Sequence, residues 1–248
     1  MTCEACKTIP PVIAEGYTPK GTYEQIGGLK TYVVGNVAKA TIAIVDVYDI
    51  FGLANQTLQG ADALAAALDG IVLVPDFLEG EYAKPEYFGE LTPEKQAIKD
   101  AFMDRVRDFP KFLGKLSAVV EDGKTKFPTV TGWGSIGLCW GGKVAVLLSG
   151  QGTVFKATAQ VHPGMLAVED AEKLTIPHMV LASNGEDVEV VKQYKAVIEG
   201  EGKTGVVETY PTMHHGWMGA RANLSNPDNL KEYERAYNQV AGFFAKYL

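Results

Sequence analysis

Cysteine is scarce in this 248-residue chain, with only three copies at positions 3, 6 and 139. An odd count in a chain with no sign of secretion argues against a disulfide framework. Cys3 and Cys6 have the C-x-x-C spacing of half a zinc site or a redox pair. A four-ligand site needs two more donors, and none follows closely, so no metal is expected and residues 1–28 read as an N-terminal arm. Cationic excess is also lacking. Lys and Arg number 23 against 30 Asp and Glu, a formal charge of -7, which excludes broad affinity for nucleic acid or an anionic membrane. No run approaches the roughly 20 apolar residues a spanning helix needs, because the most apolar stretch, 40–53, is interrupted by Asp46 and Asp49. Residues 1–12 show no basic segment followed by an apolar run, so a cytoplasmic location is the expectation. Internal repeats, low-complexity tracts and Pro/Ser-rich linkers are absent.

What remains is 46% hydrophobic and 21% charged, the balance of a folded chain with a sizeable core. Short β-branched runs at 30–37, 41–47, 71–75, 130–137, 157–162, 178–183 and 205–210 read as strands. Helical periodicity fills 56–68, 93–120, 188–199 and 227–248, with Pro110 and Gly114 expected to break the second of these. Alternation of this kind predicts one α/β domain over 29–248, with a mostly parallel sheet of about seven or eight strands and helices on both faces. Segment 76–92 breaks the periodicity and carries Phe77, Tyr82, Tyr87 and Phe88; it reads equally as a wall over a pocket or as packing on the surface.

The most specific signal is Gly137-Leu138-Cys139-Trp140-Gly141, a G-x-C-x-G sequence preceded by a strand and followed by a helical pattern. Small residues two positions either side of a nucleophile allow the sharp strand-to-helix turn that exposes it. A thiol there lies at the amino end of a helix, where free amides and the dipole favour thiolate. The Trp140 amide is a natural oxyanion donor, and the Ile50 amide, in the early loop Tyr48-Asp49-Ile50-Phe51-Gly52, is the candidate second donor.

A cysteine nucleophile needs a proton acceptor, and only four histidines exist. His178 follows Pro177 and is expected to face solvent or a loop. His162 ends a strand near the carboxyl edge of the sheet, where ligands of open α/β folds gather. His214 and His215 lie between the last strand and the last helix, where the base of an α/β-hydrolase belongs. The acid should follow the sixth strand, and Asp187 is preferred there, with Glu186 in reserve. Asp187 is also well placed to cap the helix that follows it. The order Cys139, Asp187, histidine is that of α/β-hydrolases.

With these residues in view, the sequence resembles the dienelactone hydrolase family. The likeness is carried by Asp49-Ile50-Phe51-Gly52, Val74-Pro75-Asp76-Phe77, Gly137-Leu138-Cys139-Trp140-Gly141-Gly142, Gly185-Glu186-Asp187 and His215-Gly216-Trp217 with Arg221. The resemblance selects His215 over His214. It implies an α/β-hydrolase core, no cofactor or metal, and hydrolysis of a lactone or activated ester through an acyl-cysteine. It also sets Asp49 where the bacterial members carry a glutamate that holds the resting thiol, and matches Arg221 to one of their substrate-binding arginines. Asp49 is one methylene shorter than that glutamate, and reads equally as a strand-end carboxylate satisfied by backbone amides.

The resulting expectation is a Cys139, Asp187, His215 triad with Ile50 and Trp140 as oxyanion donors. Asp49, Tyr82, Phe88, His162, Trp217 and Arg221 are expected around a small-molecule ester or lactone, in a monomer or homodimer. Two other readings keep the fold: a non-hydrolytic enzyme of small-molecule metabolism, and a ligand-binding protein without catalysis.

Overall fold

A computed structural model describes residues 10–12, 16–200 and 202–248; Cys3 and Cys6 lie outside them. Eight strands form one sheet: β1 (Thr22–Ile26), β2 (Leu29–Gly35), β3 (Ile42–Val47), β4 (Ile71–Pro75), β5 (Gly132–Leu138), β6 (Ala157–Val161), β7 (His178–Ala182) and β8 (Gly205–Thr209). Their spatial order is β1-β2-β4-β3-β5-β6-β7-β8. β1 and β2 run antiparallel to their neighbours, and all later pairs are parallel. The β1 strand lies within the span expected as an arm. It pairs with β2 from Thr22↔Val33 to Ile26↔Leu29, so the sheet reaches further toward the amino end than its sequence suggests.

Seven α-helices follow among the described residues: α1 (Asn55–Leu68), α2 (Pro93–Val106), α3 (Phe109–Lys126), α4 (Trp140–Leu147), α5 (Val168–Lys173), α6 (Val188–Ile198) and α7 (Pro227–Tyr247). They cover both faces of the sheet. On β5, a Cβ at Gly134 would meet Phe244 of α7, whereas one at Gly137 would meet the backbone of Gly141 in α4. Residues three apart on a strand point to opposite faces. Central strands β3, β4, β5, β6 and β7 are buried almost throughout, as expected when helices cover both sides of a parallel sheet. That arrangement brings the carboxyl ends of β3, β5, β6 and β7 to one rim.

The break between α2 and α3 falls at Arg107 and Asp108, two residues before Pro110. Pro110 sits in the first turn of α3, where its missing N–H would have had no intrahelical acceptor. Gly114 is simply carried inside the helix. His178 differs most from expectation. It is fully buried on β7, with Nδ1 2.7 Å from Thr158 Oγ1 and Nε2 3.0 Å from Gln160 Oε1. Burial pushes its pKa down to about 3.

Candidate active site

Cys139 joins β5 to α4 with φ +54 and ψ -112, a backbone conformation that costs an L-residue about 1–3 kcal/mol and persists only when its surroundings impose it. They do so here through the main chain. Cys139 N–H donates to Val161 O at 3.0 Å, and Cys139 O accepts from Gly142 N at 3.1 Å and Gly164 N at 2.9 Å. The flanking glycines are required by contact. A Cβ on Gly141 would stand 1.8 Å from Val47 O, and one on Gly137 2.2 Å from Gly141 O. Trp140 is the first residue of α4, so its N–H has no intrahelical acceptor. Its indole Nε1–H donates to Val106 O at 2.7 Å, and its ring meets Phe112 edge-on at 4.8 Å. The elbow is thus locked to the α2–α3 junction.

His215 lies in the loop after β8, and its Nδ1 stands 2.6 Å from Glu186 Oε1. Both side chains are almost wholly buried. Glu186 also accepts hydrogen bonds from Ser183 N–H and, at 3.0 Å, from the Ser183 hydroxyl. The histidine's partner is therefore Glu186 and not the preferred Asp187. Asp187 is the N-cap of α6, its Oδ1 accepting from Glu189 N at 2.9 Å and Val190 N at 3.1 Å. The physical reason is reach. The residue at the cap turns its short carboxylate onto the helix amides, while the longer glutamate before it extends back beneath the β7 end to the imidazole. With Nδ1–H donated to a carboxylate, Nε2 carries the lone pair that can accept a proton. His214, the alternative, has its Nε2 3.2 Å from Arg221 O.

Cys139, His215, Glu186, Ile50, Trp140 and Phe88 share one cavity of about 450 Å³ at the carboxyl rim of the sheet, and Asp187 reaches its wall. Five other residues expected there do not line it. Asp49 is fully buried, with Oδ1 accepting from Phe51 N and Oδ2 from Ala220 N, each at 2.9 Å. Tyr82 packs on Gly52 and Tyr48. Trp217 stacks on Tyr210 with ring centroids 4.5 Å apart. Arg221 is buried one layer back, its guanidinium 4.6 Å from the Phe51 ring and 5.8 Å from the Phe88 ring. His162 lies behind the base, its ring centroid 5.1 Å from that of His215. Burial first, then the neighbouring His215, holds the pKa of His162 well below that of an ordinary imidazole.

Much of the remaining wall comes from residues that the sequence reading passed over. Phe102, Met103 and Val106 line the cavity from α2, with Lys99 and Arg107 from the same segment; Met165 and Leu166 complete it beyond β6. Lys95, Lys99, Asp100, Asp104 and Arg105 are interspersed with the apolar residues of α2 and mask its inward face in the sequence. The spacing of Phe102 and Val106, four residues apart, was the available sign of an inward face. Segment 76–92 contributes Ala83, Tyr87 and Phe88, with a short 3₁₀ turn at Pro85–Tyr87. Among the described residues, no group of three or more His, Cys, Asp or Glu side chains is arranged to hold a metal, and no helix is long and apolar enough to cross a membrane.

The model of the dienelactone hydrolase family matches residues 29–248. An uncharacterized AIM2 family protein of Schizosaccharomyces pombe is 37% identical over 236 residues, covering 93% of this chain and 92% of its own. A second AIM2 family protein of that yeast is 35% identical over 223 residues, 89% of each. Among solved structures, a putative dienelactone hydrolase from Klebsiella pneumoniae superposes with a TM-score of 0.69 at 17% identity, covering 88% of this chain and 93% of its own. A dienelactone hydrolase from Anabaena variabilis gives 0.64 at 16% identity, covering 92% and 97%. At such identities the structures speak for the fold.

Proposed function

Because this chain belongs to the dienelactone hydrolase family, we propose that it is a hydrolase that cleaves lactones or small carboxylic esters through an acyl-cysteine intermediate. The observation that carries the reading is the 2.6 Å bond between His215 Nδ1 and Glu186 Oε1, made by a histidine that shares its cavity with a strained cysteine at the head of a helix.

In this scheme the Cys139 thiol gives its proton to His215 Nε2 as sulfur attacks the acyl carbon. Glu186 stabilises the imidazolium and fixes the tautomer without being protonated. Charge on the former carbonyl oxygen is met by the Trp140 and Ile50 amides. When the tetrahedral species collapses, the C–O bond breaks and the alkoxide leaves with the proton held by His215. Water then gives a proton to the same nitrogen and attacks the thioester; the C–S bond breaks, and the thiolate recovers that proton as the acid departs. The apolar lining, with Phe102, Met103, Val106 and Leu166, favours an apolar acyl or alcohol portion.

The test is Cys139→Ala assayed on short aryl esters and simple lactones. Turnover should vanish with the fold retained, and wild type quenched during turnover should carry an acyl mass increment on the peptide containing Cys139. Wild-type turnover by the variant on every responsive substrate would end the cysteine mechanism.

A further inference from the structure

Asp49 is a buried carboxylate that the scheme above does not use. It ends the segment after β3, directly before Ile50, and both of its oxygens are engaged by main-chain amides far apart in sequence. Oδ1 accepts from Phe51 N–H, and Oδ2 accepts from Ala220 N–H, five residues beyond His215. One side chain therefore holds the oxyanion loop and the histidine loop together. The contact is close-fitting: a Cβ on Gly219 would stand 2.5 Å from Asp49 Oδ2.

The geometry around Ile50 shows what this tie fixes. The peptide joining Ile50 and Phe51 is pinned at both ends, its N–H by Asp49 Oδ1 and its C=O by Ala83 N–H at 2.8 Å. The adjoining peptide carries the Ile50 N–H offered to the oxyanion, and its own C=O, that of Asp49, accepts from Gly52 N–H at 3.1 Å, so both peptides of the turn are held beside the Asp49 carboxylate. On the other side, Ala220 O accepts from Val12 N at 2.8 Å, and Arg221 O stands 3.2 Å from His214 Nε2. Arg221 returns to the first loop through its 4.6 Å contact with the Phe51 ring. Burial leaves the Asp49 carboxyl above the ordinary carboxylate range, and the Ala220 and Phe51 amides, then Arg221 and His215, pull it part of the way back toward the anion.

We propose that Asp49 is a positioning residue whose carboxylate locks the Ile50 oxyanion amide and the His215 loop into one register, acting through the main chain and not on the thiol. This rests on Cys139 and His215 being the reacting pair. A donor displaced by about 1 Å can cost on the order of 100-fold in rate while leaving ground-state binding nearly intact. Asp49→Asn offers an amide nitrogen where one of the two N–H donors needs an acceptor. Gly219→Ala strains the same bond from the opposite loop with the carboxylate still present.

The experiment measures kcat and KM on an aryl ester, thermal unfolding, and the rate of Cys139 alkylation by iodoacetamide without substrate, for wild type, Asp49→Asn, Gly219→Ala and Cys139→Ala. Expected for the two loop variants is a kcat lowered roughly 10- to 100-fold with KM within about threefold, and an alkylation rate close to wild type. If Asp49→Asn fails to fold, the same readings on Gly219→Ala decide the matter. Wild-type kcat in either folded variant overturns the proposal. So does a several-fold faster alkylation of resting Cys139 in Asp49→Asn, which would make Asp49 a restraint on the sulfur. Retained turnover in Cys139→Ala would instead refute the nucleophile, so the two failures are distinguishable.

Discussion

Glu186 and Asp187 are adjacent carboxylates with separable roles, and replacing each by its amide isolates them. Glu186→Gln keeps the shape but removes the charge facing His215 Nδ1 at 2.6 Å. An amide there can present NH₂ to the imidazole, which favours the tautomer whose Nε2 already carries a proton and cannot take one from Cys139. Charge lost beside a developing imidazolium and the wrong tautomer together justify a fall in kcat of about 10³–10⁴, or roughly 4–5.5 kcal/mol of transition-state stabilisation. Asp187→Asn, by contrast, preserves an oxygen for Glu189 N and Val190 N, and Asn caps helices about as well as Asp. Its kcat should stay within about twofold and its stability within about 0.5 kcal/mol. The assay is initial-rate hydrolysis of an aryl ester near neutral pH, with urea unfolding of each variant. An inactive Asp187→Asn beside an active Glu186→Gln would refute the assignment of the acid.

Two further outcomes concern the frame that holds the site. Gly141→Ala sets a methyl group 1.8 Å from Val47 O, a main-chain atom with no rotamer to swing aside, and should destabilise the protein by about 2–3 kcal/mol in urea titration; unchanged stability would show that α4 can move off β3. His178 predicts an acid-side loss of stability. Its folded pKa of about 3 lies below the unfolded value of 6.5, so below pH 6.5 the unfolded chain binds the extra proton. Each pH unit from 6.5 toward 3 removes about 1.4 kcal/mol through this group. Asp46, whose carboxyl burial raises, works in the opposite sense. The readout is therefore the pH 7.5 to 5.0 difference in unfolding free energy between wild type and His178→Gln. Wild type should lose about 2 kcal/mol more than the variant, and parallel slopes would contradict a neutral buried imidazole.

Most of the sheet was legible because parallel strands buried on both faces appear as continuous apolar runs, and seven were found with ends within about two residues. β1 escaped because Thr22-Tyr23-Glu24-Gln25-Ile26 has four exposed residues out of five and no alternation to reveal a pleat. His178 was misjudged for a related reason: Pro177 suggested a loop, but the strand beginning at His178 is flanked by β6 and β8 and covered on both faces. At the site, Cys139 announced itself through the steric demand for glycine on either side, and His215 through its place after the last strand and its family likeness. The acid was harder to name. A strand end followed by a helix wants a carboxylate for the cap as well as one for the histidine, and sequence order does not say which side chain turns which way. Pocket walls were least legible of all. Trp217 and Arg221 sit near the base in sequence yet lie a layer behind the cavity, while α2, remote in sequence, supplies much of its lining.

Two pairs of neighbouring acids obey one rule: the donors around a carboxylate decide its work. In the Glu186–Asp187 pair, helix amides claim Asp187 and leave Glu186 to the imidazole. In the Asp46–Asp49 pair, both residues are fully buried, but main-chain amides reach both oxygens of Asp49, whereas neither oxygen of Asp46 has a hydrogen-bond partner among the described residues. Two unscreened anions so near one another would each raise the other's pKa. Burial first, and then Asp49, drives the Asp46 carboxyl well above the ordinary carboxylate range, while the amides on Asp49 offset part of the same burial effect there. The donors therefore favour charge on Asp49 over charge on Asp46, and each increment of charge on the carboxylate between the oxyanion loop and the histidine loop strengthens its bonds to Phe51 N–H and Ala220 N–H.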